Sequence, residues 1–277
     1  MKNSNRPRIT PLKRYAAHFL IAQFLLFLAS GAYAGDGNPV TNAASDVGFM
    51  ATSPARIDRS SAYITLGILG AGGLFYAFNN QIRSGVKTLH SATGDNLSTV
   101  AEKFGNPGTA LAMVGVLGGA GHLLKDQKLE NTALLSFESF LAANTFGMTT
   151  KYIVGLSRPY ANKGDAAFKP FSFKTVDNSF PSGHTTTAFS IASVFSEQYD
   201  SIWVSILAYG LASTVAMQRV YADKHWASDV FFGAALGTVT GRLVVRRARQ
   251  RAANKALTIY PYVTPQTKLG LGMKLAF

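Results

Sequence analysis

His225 stands four residues before a carboxylate, Asp229, in the island Arg219-Val-Tyr-Ala-Asp-Lys-His-Trp-Ala-Ser-Asp229, which lies between two long apolar runs. If the chain turns into a helix near His225, residues i and i+4 share a face one turn apart, so the carboxylate can reach the imidazole. A carboxylate on one ring nitrogen fixes the tautomer and leaves a lone pair on the other, the state that nucleophilic or general-base work requires. The same two residues would also suit a plain helix start, with Asp229 favoured by the helix dipole.

Two further islands add chemistry. Lys151 and Arg158 are seven residues apart in Lys-Tyr-Ile-Val-Gly-Leu-Ser-Arg-Pro, which predicts two cations on one helical face. Phe180-Pro181-Ser182-Gly183-His184-Thr185 is a Pro/Gly turn that opens an apolar run. Ser182 suits an N-cap there, and the free amides of a helix start, Gly183 among them, make an anion site.

Read in order as KxxxxxxRP, PSGH and RxxxxxHxxxD, the three islands resemble the signature of the type 2 phosphatidic acid phosphatase (PAP2) superfamily. That superfamily also includes bacterial class A acid phosphatases and vanadium haloperoxidases. The resemblance covers roughly residues 145 to 240. One departure bears on the packing of Arg219: the third block usually opens Ser-Arg, and here it reads Gln218-Arg219.

The resemblance implies an all-α fold, a six-helix PAP2/haloperoxidase-like bundle. It implies a metal-independent and cofactor-free phosphatase in which His225 is the nucleophile, forming a phosphohistidine, and Asp229 orients it. His184 would protonate the leaving alkoxide and then activate water. Lys151, Arg158, Ser182, Gly183 and Arg219 would bind the phosphate. Expected substrates are lipid phosphates: phosphatidic acid, an isoprenyl pyrophosphate or a lipid A phosphate. Small soluble esters and a vanadate-dependent haloperoxidase remain alternatives in the same site, and a silent envelope binding protein is the non-enzymatic one.

These residues need elements to position them. Ser60 to Ile82 carries no charge and is apolar on every face, the pattern of a buried or membrane helix. Residues 83–106 read as a short amphipathic helix and Pro107 to Leu124 as a Gly-dense apolar one. Helices then follow over Asn131 to Leu156, Ser182 to Gln198, Ser201 to Gln218 and Trp226 to Arg251, six principal helices in all. The islands fall at the end of the third, the start of the fourth, the end of the fifth and the start of the sixth. In an up-down bundle those positions share one end.

The connection Tyr160 to Phe180 is aromatic and cationic, as a binding loop or lid would be. Glu138 reads as a structural partner or a solvated position and not as catalytic, Asp223 and Lys224 inside the third block as a local surface pair, and His90 and His122 as structural.

At 47% hydrophobic and 15% charged, with mean hydropathy +0.12, the chain is apolar for a soluble protein. A positive start, an apolar stretch from Ala16 to Leu28 and the small-x-small triplet ending at Ala34 predict a signal peptide over 1–34. Removing its five cations leaves 22 basic residues against 14 acidic ones, a formal +8 in place of +13. A basic surface suits phosphate substrates and anionic membrane surfaces. No zinc-finger spacing or RNP-like motif points to nucleic acid. The absence of cysteine excludes disulfides, thiol catalysis and Cys-ligated metal.

The expected organisation is 1–34 signal peptide, 35–58 flexible lead-in, 59–252 helical phosphatase domain and 253–277 a tail. The tail alternates with period two and reads as a β-hairpin around Pro265-Gln-Thr. Six spans would put the Arg-rich stretch 246–251 outside the cytoplasm, against the positive-inside tendency, which favours a bundle lying in the periplasm.

Overall fold

Helix boundaries in this chain follow its caps. The computed structural model describes residues 38–263 and 269–275, so the expected signal peptide over 1–34 and the turn at Pro265-Gln-Thr lie outside the described residues. Asn38 accepts a hydrogen bond from the Val40 amide and Pro39 takes the first position of α1, Pro39–Ala51. After a 3₁₀ turn at Ser53–Arg56, Asp58 caps α2, Arg59–Ala77, and α3 follows over Asn79–Lys87. Ser91 caps α4, Ala92–Gly105, and Asn106 with Pro107 starts α5, Pro107–Leu124. Asp126 caps α6, Gln127–Val154. The bundle is completed by α7, Gly183–Gln198, α8, Ile202–Tyr221, and α9, Ala227–Ala256.

The described residues therefore hold nine α-helices, not six. The 35–58 stretch, expected to be a flexible lead-in, contains α1, whose one acid, Asp46, is fully buried beneath α9. There it meets Arg247, with Arg251 Nη1 3.3 Å away. Residues 83–106 divide into α3 and α4 because Ser91 restarts the helix with its own cap. Beyond α9, the strands β1, Leu257–Val263, and β2, Leu269–Leu275, pair antiparallel with Leu257 opposite Leu275 and Val263 opposite Leu269.

Among the described residues, three helices are long and apolar enough to cross a membrane: α2, α5 and the 227–254 stretch of α9. In α2 only 6% of the apolar window is buried, and Tyr63, Ile64, Leu66, Leu69 and Leu74 all face outward. An apolar surface of that extent is a lipid-facing surface. These helices mark the chain as a membrane protein, and the expectation of a bundle lying wholly in the periplasm is corrected accordingly. The parity argument took six helices as six spans, and the count on which it rested does not hold.

What places the site is the contact between α7 and α9. Gly233, Gly237 and Gly241 recur every four residues on the face of α9 that meets α7. A Cβ added at each would lie 2.8 Å from Ser182 O, 2.5 Å from Thr186 O and 2.6 Å from Ser190 O respectively. Only hydrogen fits, so the two backbones approach at van der Waals distance, as small residues permit in membrane bundles. The Ser182 amide consequently donates to the backbone oxygen of Asp229 at 3.0 Å, which joins the second and third islands directly. Further down, Leu135 of α6, Val194 of α7 and Val244 and Val245 of α9 form a shared apolar cluster.

Candidate active site

α6 ends at Gly155, whose φ of +64° turns the chain back. A Cβ there would fall 1.9 Å from Lys169 O, so glycine is required on both counts. Arg158 thus lies beyond the helix, and the expected shared helical face with Lys151 is not how the two cations meet. They meet through the loop after them. Lys151 Nζ donates to the carbonyls of Asn178 at 3.2 Å and Ser179 at 3.1 Å, and to that of Pro181. Arg158 donates to Thr175 O at 3.0 Å from Nε and to Asn178 O at 3.4 Å from Nη2. Lys151, expected as a phosphate ligand, has its ammonium hydrogens committed to the loop that carries Ser182.

The third island is clamped at three points. Asp223 adopts φ +56° and receives Arg83 of α3 through both carboxylate oxygens, at 2.6 and 2.7 Å, with Lys87 at 3.4 Å. It is therefore an interhelix anchor and not a local pair with Lys224. The amides of Lys224 and His225 both donate to Arg219 O. Trp226, 1% exposed, donates from its indole to Ser157 O at 2.8 Å.

His225 itself lies two residues before α9 and is 3% exposed, while Asp229 in the first turn is fully buried. The Asp229 carboxylate accepts from the Trp226 amide at 2.9 Å, reaching back to the residue before the helix as an acid in a capping box does. The same oxygen lies 3.5 Å from His225 Nδ1. Ser179 completes the arrangement: its Oγ is 2.5 Å from Asp229 Oδ2, to which it donates, and 3.4 Å from His225 Nδ1. With Nδ1 facing this pair, Nε2 is the nitrogen left for chemistry.

Burial holds the His225 imidazole well below its ordinary titration range, with Lys151, Arg158, Arg219 and His184 acting the same way. It is neutral, and a neutral imidazole is a nucleophile. Burial also brings His184 down to about 4, seconded by Arg219 and opposed by Glu102. The Lys151 ammonium is lowered to about 7, chiefly by burial, with the Asp229 charge opposing and Arg158 reinforcing the shift.

Ser182 is fully buried and accepts at Oγ from Thr185 Oγ1 at 3.0 Å, so its hydroxyl does not close the helix start it precedes. The first-turn amides of α7, beginning at Gly183, have no intrahelical acceptor and carry the positive end of its dipole. Arg219 is 3% exposed, with Nε donating to Gln218 Oε1 at 2.5 Å and Nη2 2.9 Å from Glu102 Oε1. Every residue singled out in the three islands reaches this end of the bundle. Ser179 and Glu102 were not singled out: each sits in a polar stretch with no spacing to mark it, and only packing brings them here. His90, stacked on Tyr221, and His122, 3.4 Å from Glu130, lie outside the site.

Residues 132–253 match the PAP2 superfamily model. Over 71 residues the chain is 46% identical to a lipid A 1-phosphatase of Porphyromonas gingivalis, a match spanning 25% of this chain and 16% of that protein. A second lipid A 1-phosphatase, of Rhizobium johnstonii, is 35% identical over 31% of this chain and 36% of its own length. The chain thus spans well under half the length of these two relatives. An undecaprenyl-diphosphatase of Sulfolobus acidocaldarius is 28% identical over 58% of this chain and 74% of its own length. Among solved structures, the fold is similar to that of Aquifex aeolicus LpxE, with a TM-score of 0.50 and 19% identity over 61% of this chain and 95% of that one. The matched stretch begins in α6, runs through α7, α8 and α9 and takes in all three islands, and it is this part of the chain that is similar to the PAP2 superfamily.

Proposed function

We propose that this chain is a PAP2-type phosphatase that removes phosphate from a membrane lipid. The observation that carries the reading is the convergence, at one end of a lipid-facing bundle, of a neutral carboxylate-backed histidine, a second histidine and three cations. Phosphoryl transfer needs little else: a nucleophile in line, an acid for the leaving oxygen, and charge around the equatorial oxygens.

In this reading His225 Nε2 attacks phosphorus, the bond from phosphorus to the alcohol oxygen breaks, and His184 gives that oxygen its proton. Water then attacks the phosphohistidine, His184 takes the proton, the P–N bond breaks and orthophosphate leaves. Asp229 and Ser179 hold Nδ1. Arg158, Arg219 and the amides at Gly183 face the phosphoryl oxygens, and Ser182 anchors that turn to α9. Lys151 lends charge from beneath the loop. The charge of the bound phosphate favours the protonated His184 that the free site disfavours.

The choice of a lipid rests on an apolar groove of about 560 Å³ between α3, α4, α8 and α9, walled by Ile82, Val86, Leu97, Ala101, Val220 and Phe231. Gln218 and Ala227 also line it, the first next to Arg219 in the chain and the second two residues after His225. Two of the relatives above are named for lipid A and one for undecaprenyl diphosphate, which are both phosphates on a hydrocarbon anchor. Removal of the 1–34 segment as a signal peptide would put the mature chain in the cell envelope, and the N-terminal sequence of the purified protein checks that.

The deciding experiment is phosphate release in EDTA from a lipid A phosphate, an isoprenyl diphosphate and p-nitrophenyl phosphate. Preference for a lipid that survives EDTA is expected. Preference for the soluble ester would replace the lipid reading with an acid phosphatase, and no release from any substrate would overturn the phosphatase reading.

A further inference from the structure

Arg219 is held by α4, which lies outside all three islands and ahead of the matched family segment. Glu102 places Oε1 2.9 Å from Arg219 Nη2. Ser98, one turn earlier on the same face, accepts at Oγ from Gln218 Nε2 at 3.0 Å, and Gln218 Oε1 in turn accepts from Arg219 Nε at 2.5 Å. The guanidinium is thus fixed at Nε through Gln218 and Ser98 and at Nη2 through Glu102. Gln218 is the residue by which this chain departs from the Ser-Arg form of the motif, and its longer side chain is what spans to α4. The end of α4 also abuts the site: a Cβ on Gly105 would meet Val215 Cγ1 at 2.2 Å and His184 Cβ at 3.3 Å.

We propose that Glu102 is a positioning residue for Arg219, and that α4, through Glu102 and the Ser98–Gln218 pair, fixes the phosphate-facing arginine from outside the signature. This rests on the phosphatase reading for its kinetic consequences but not for its geometry. Arg219 is only 3% exposed, so an unpaired guanidinium there would have little water to turn to, whereas half-exposed Glu102 sits at the mouth of the site. The carboxylate also faces His184 and Lys224. His184 is faced by Arg219 from α8, Arg158 and Lys151 from the α6 end and its following loop, His225 from before α9, and Glu102 from α4. Glu102 is the one carboxylate among these that opposes the cations, so it favours the protonated imidazole.

The test compares wild type, Glu102→Gln, Arg219→Lys and the double variant in detergent. For Glu102→Gln, kcat/KM should fall about tenfold, the scale of losing one contact to a charged group. The alkaline limb of its pH profile should move to lower pH, because the charge that favours His184 protonation is gone. In the Arg219→Lys background the same change should cost much less, since both act through one contact. Vanadate binding by calorimetry gives a readout independent of turnover: a positioning role predicts about tenfold weaker binding in Glu102→Gln, whereas a mere counter-ion competing with the anion predicts tighter binding. Tighter or unchanged vanadate binding, additive losses, or an unmoved pH limb would overturn the proposal. A wild type that binds vanadate but releases no phosphate would instead sink the phosphatase reading alone. Ser98→Ala, which leaves every charge in place, should show a smaller loss of vanadate affinity and no pH shift; a loss equal to that of Glu102→Gln would reject the role given to the carboxylate.

Discussion

α9 carries buried charge near both of its ends, and the two ends balance it differently. At the start, Asp229 and His225 sit among Lys151, Arg158 and Arg219, with Glu102 as the other carboxylate in reach. Eighteen residues on, about 27 Å along the axis, Arg247 and Arg251 meet fully buried Asp46 and Glu138, with Arg251 Nη2 2.6 Å from Glu138 Oε1. The second cluster sets two arginines against two carboxylates, balanced in formal charge, and ties α1 and α6 to α9. The first keeps more cations than carboxylates while its histidines are neutral. Buried charge that cancels holds helices together, and buried charge that does not cancel asks for an anion. Of the two readings its isolation in an apolar stretch allowed, structural partner or solvated position, Glu138 is the first: it is fully buried against Arg251.

That contrast can be broken most sharply at His225. His225→Ala should lower turnover at least about 10⁴-fold, the scale of losing a nucleophile, and should abolish any acid-labile phosphoenzyme trapped from labelled substrate, with thermal unfolding unchanged. Residual turnover within a hundredfold of wild type in a folded variant would reject the assignment. At the other end the outcome should be reversed. Asp46→Ala, which removes the carboxylate paired with Arg247 and one of the two that face Arg251, should destabilise by about 3 kcal/mol, as does the breaking of a buried pair, while kcat per folded molecule stays as it was. A loss of kcat without loss of stability would erase the distinction between the two ends.

Ser179→Ala removes a hydroxyl shared between Asp229 and His225 and should lower kcat about tenfold, the scale of one hydrogen bond to a charged group. KM should hold, because Ser179 contacts the Nδ1 side of His225, opposite the nitrogen assigned to the phosphorus. The subtlest test is pH. A His184 brought down to about 4 in the free enzyme is mostly neutral at pH 7, so kcat/KM, which reports the free enzyme, should decline as pH rises from 5 to 9. The alkaline limb of kcat should lie at higher pH, since bound phosphate restores the proton. Stability carries the same sign check. The unfolded chain binds a proton at His184 near its ordinary 6.5 and the folded chain does not, so stability rises with pH between about 4 and 6.5. Coincident limbs for kcat and kcat/KM would show that the phosphate charge is not felt at His184.

The membrane setting is open to a simple check: the protein should stay in the pellet after a carbonate wash, because α2 offers lipid almost its whole surface.

The sequence by itself determined the family resemblance, the three islands and the end of the bundle they share, because spacing, caps and apolar runs are local properties that survive without a fold. It located Asp229 near His225 and the start of α7 at Ser182. It did not determine how Lys151 and Arg158 meet, since a glycine at φ +64° ended the helix where periodicity ran on. Nor did it mark α1, whose one buried acid finds its arginines some 200 residues away, or Ser179 and Glu102, which owe their place to loops and helices packed from elsewhere. Those contacts belong to the tertiary structure because each joins residues that no periodicity relates. The Gly233, Gly237 and Gly241 ladder stands between the two: its spacing is visible in the chain, but what the missing side chains make room for appears only when α7 lies against it.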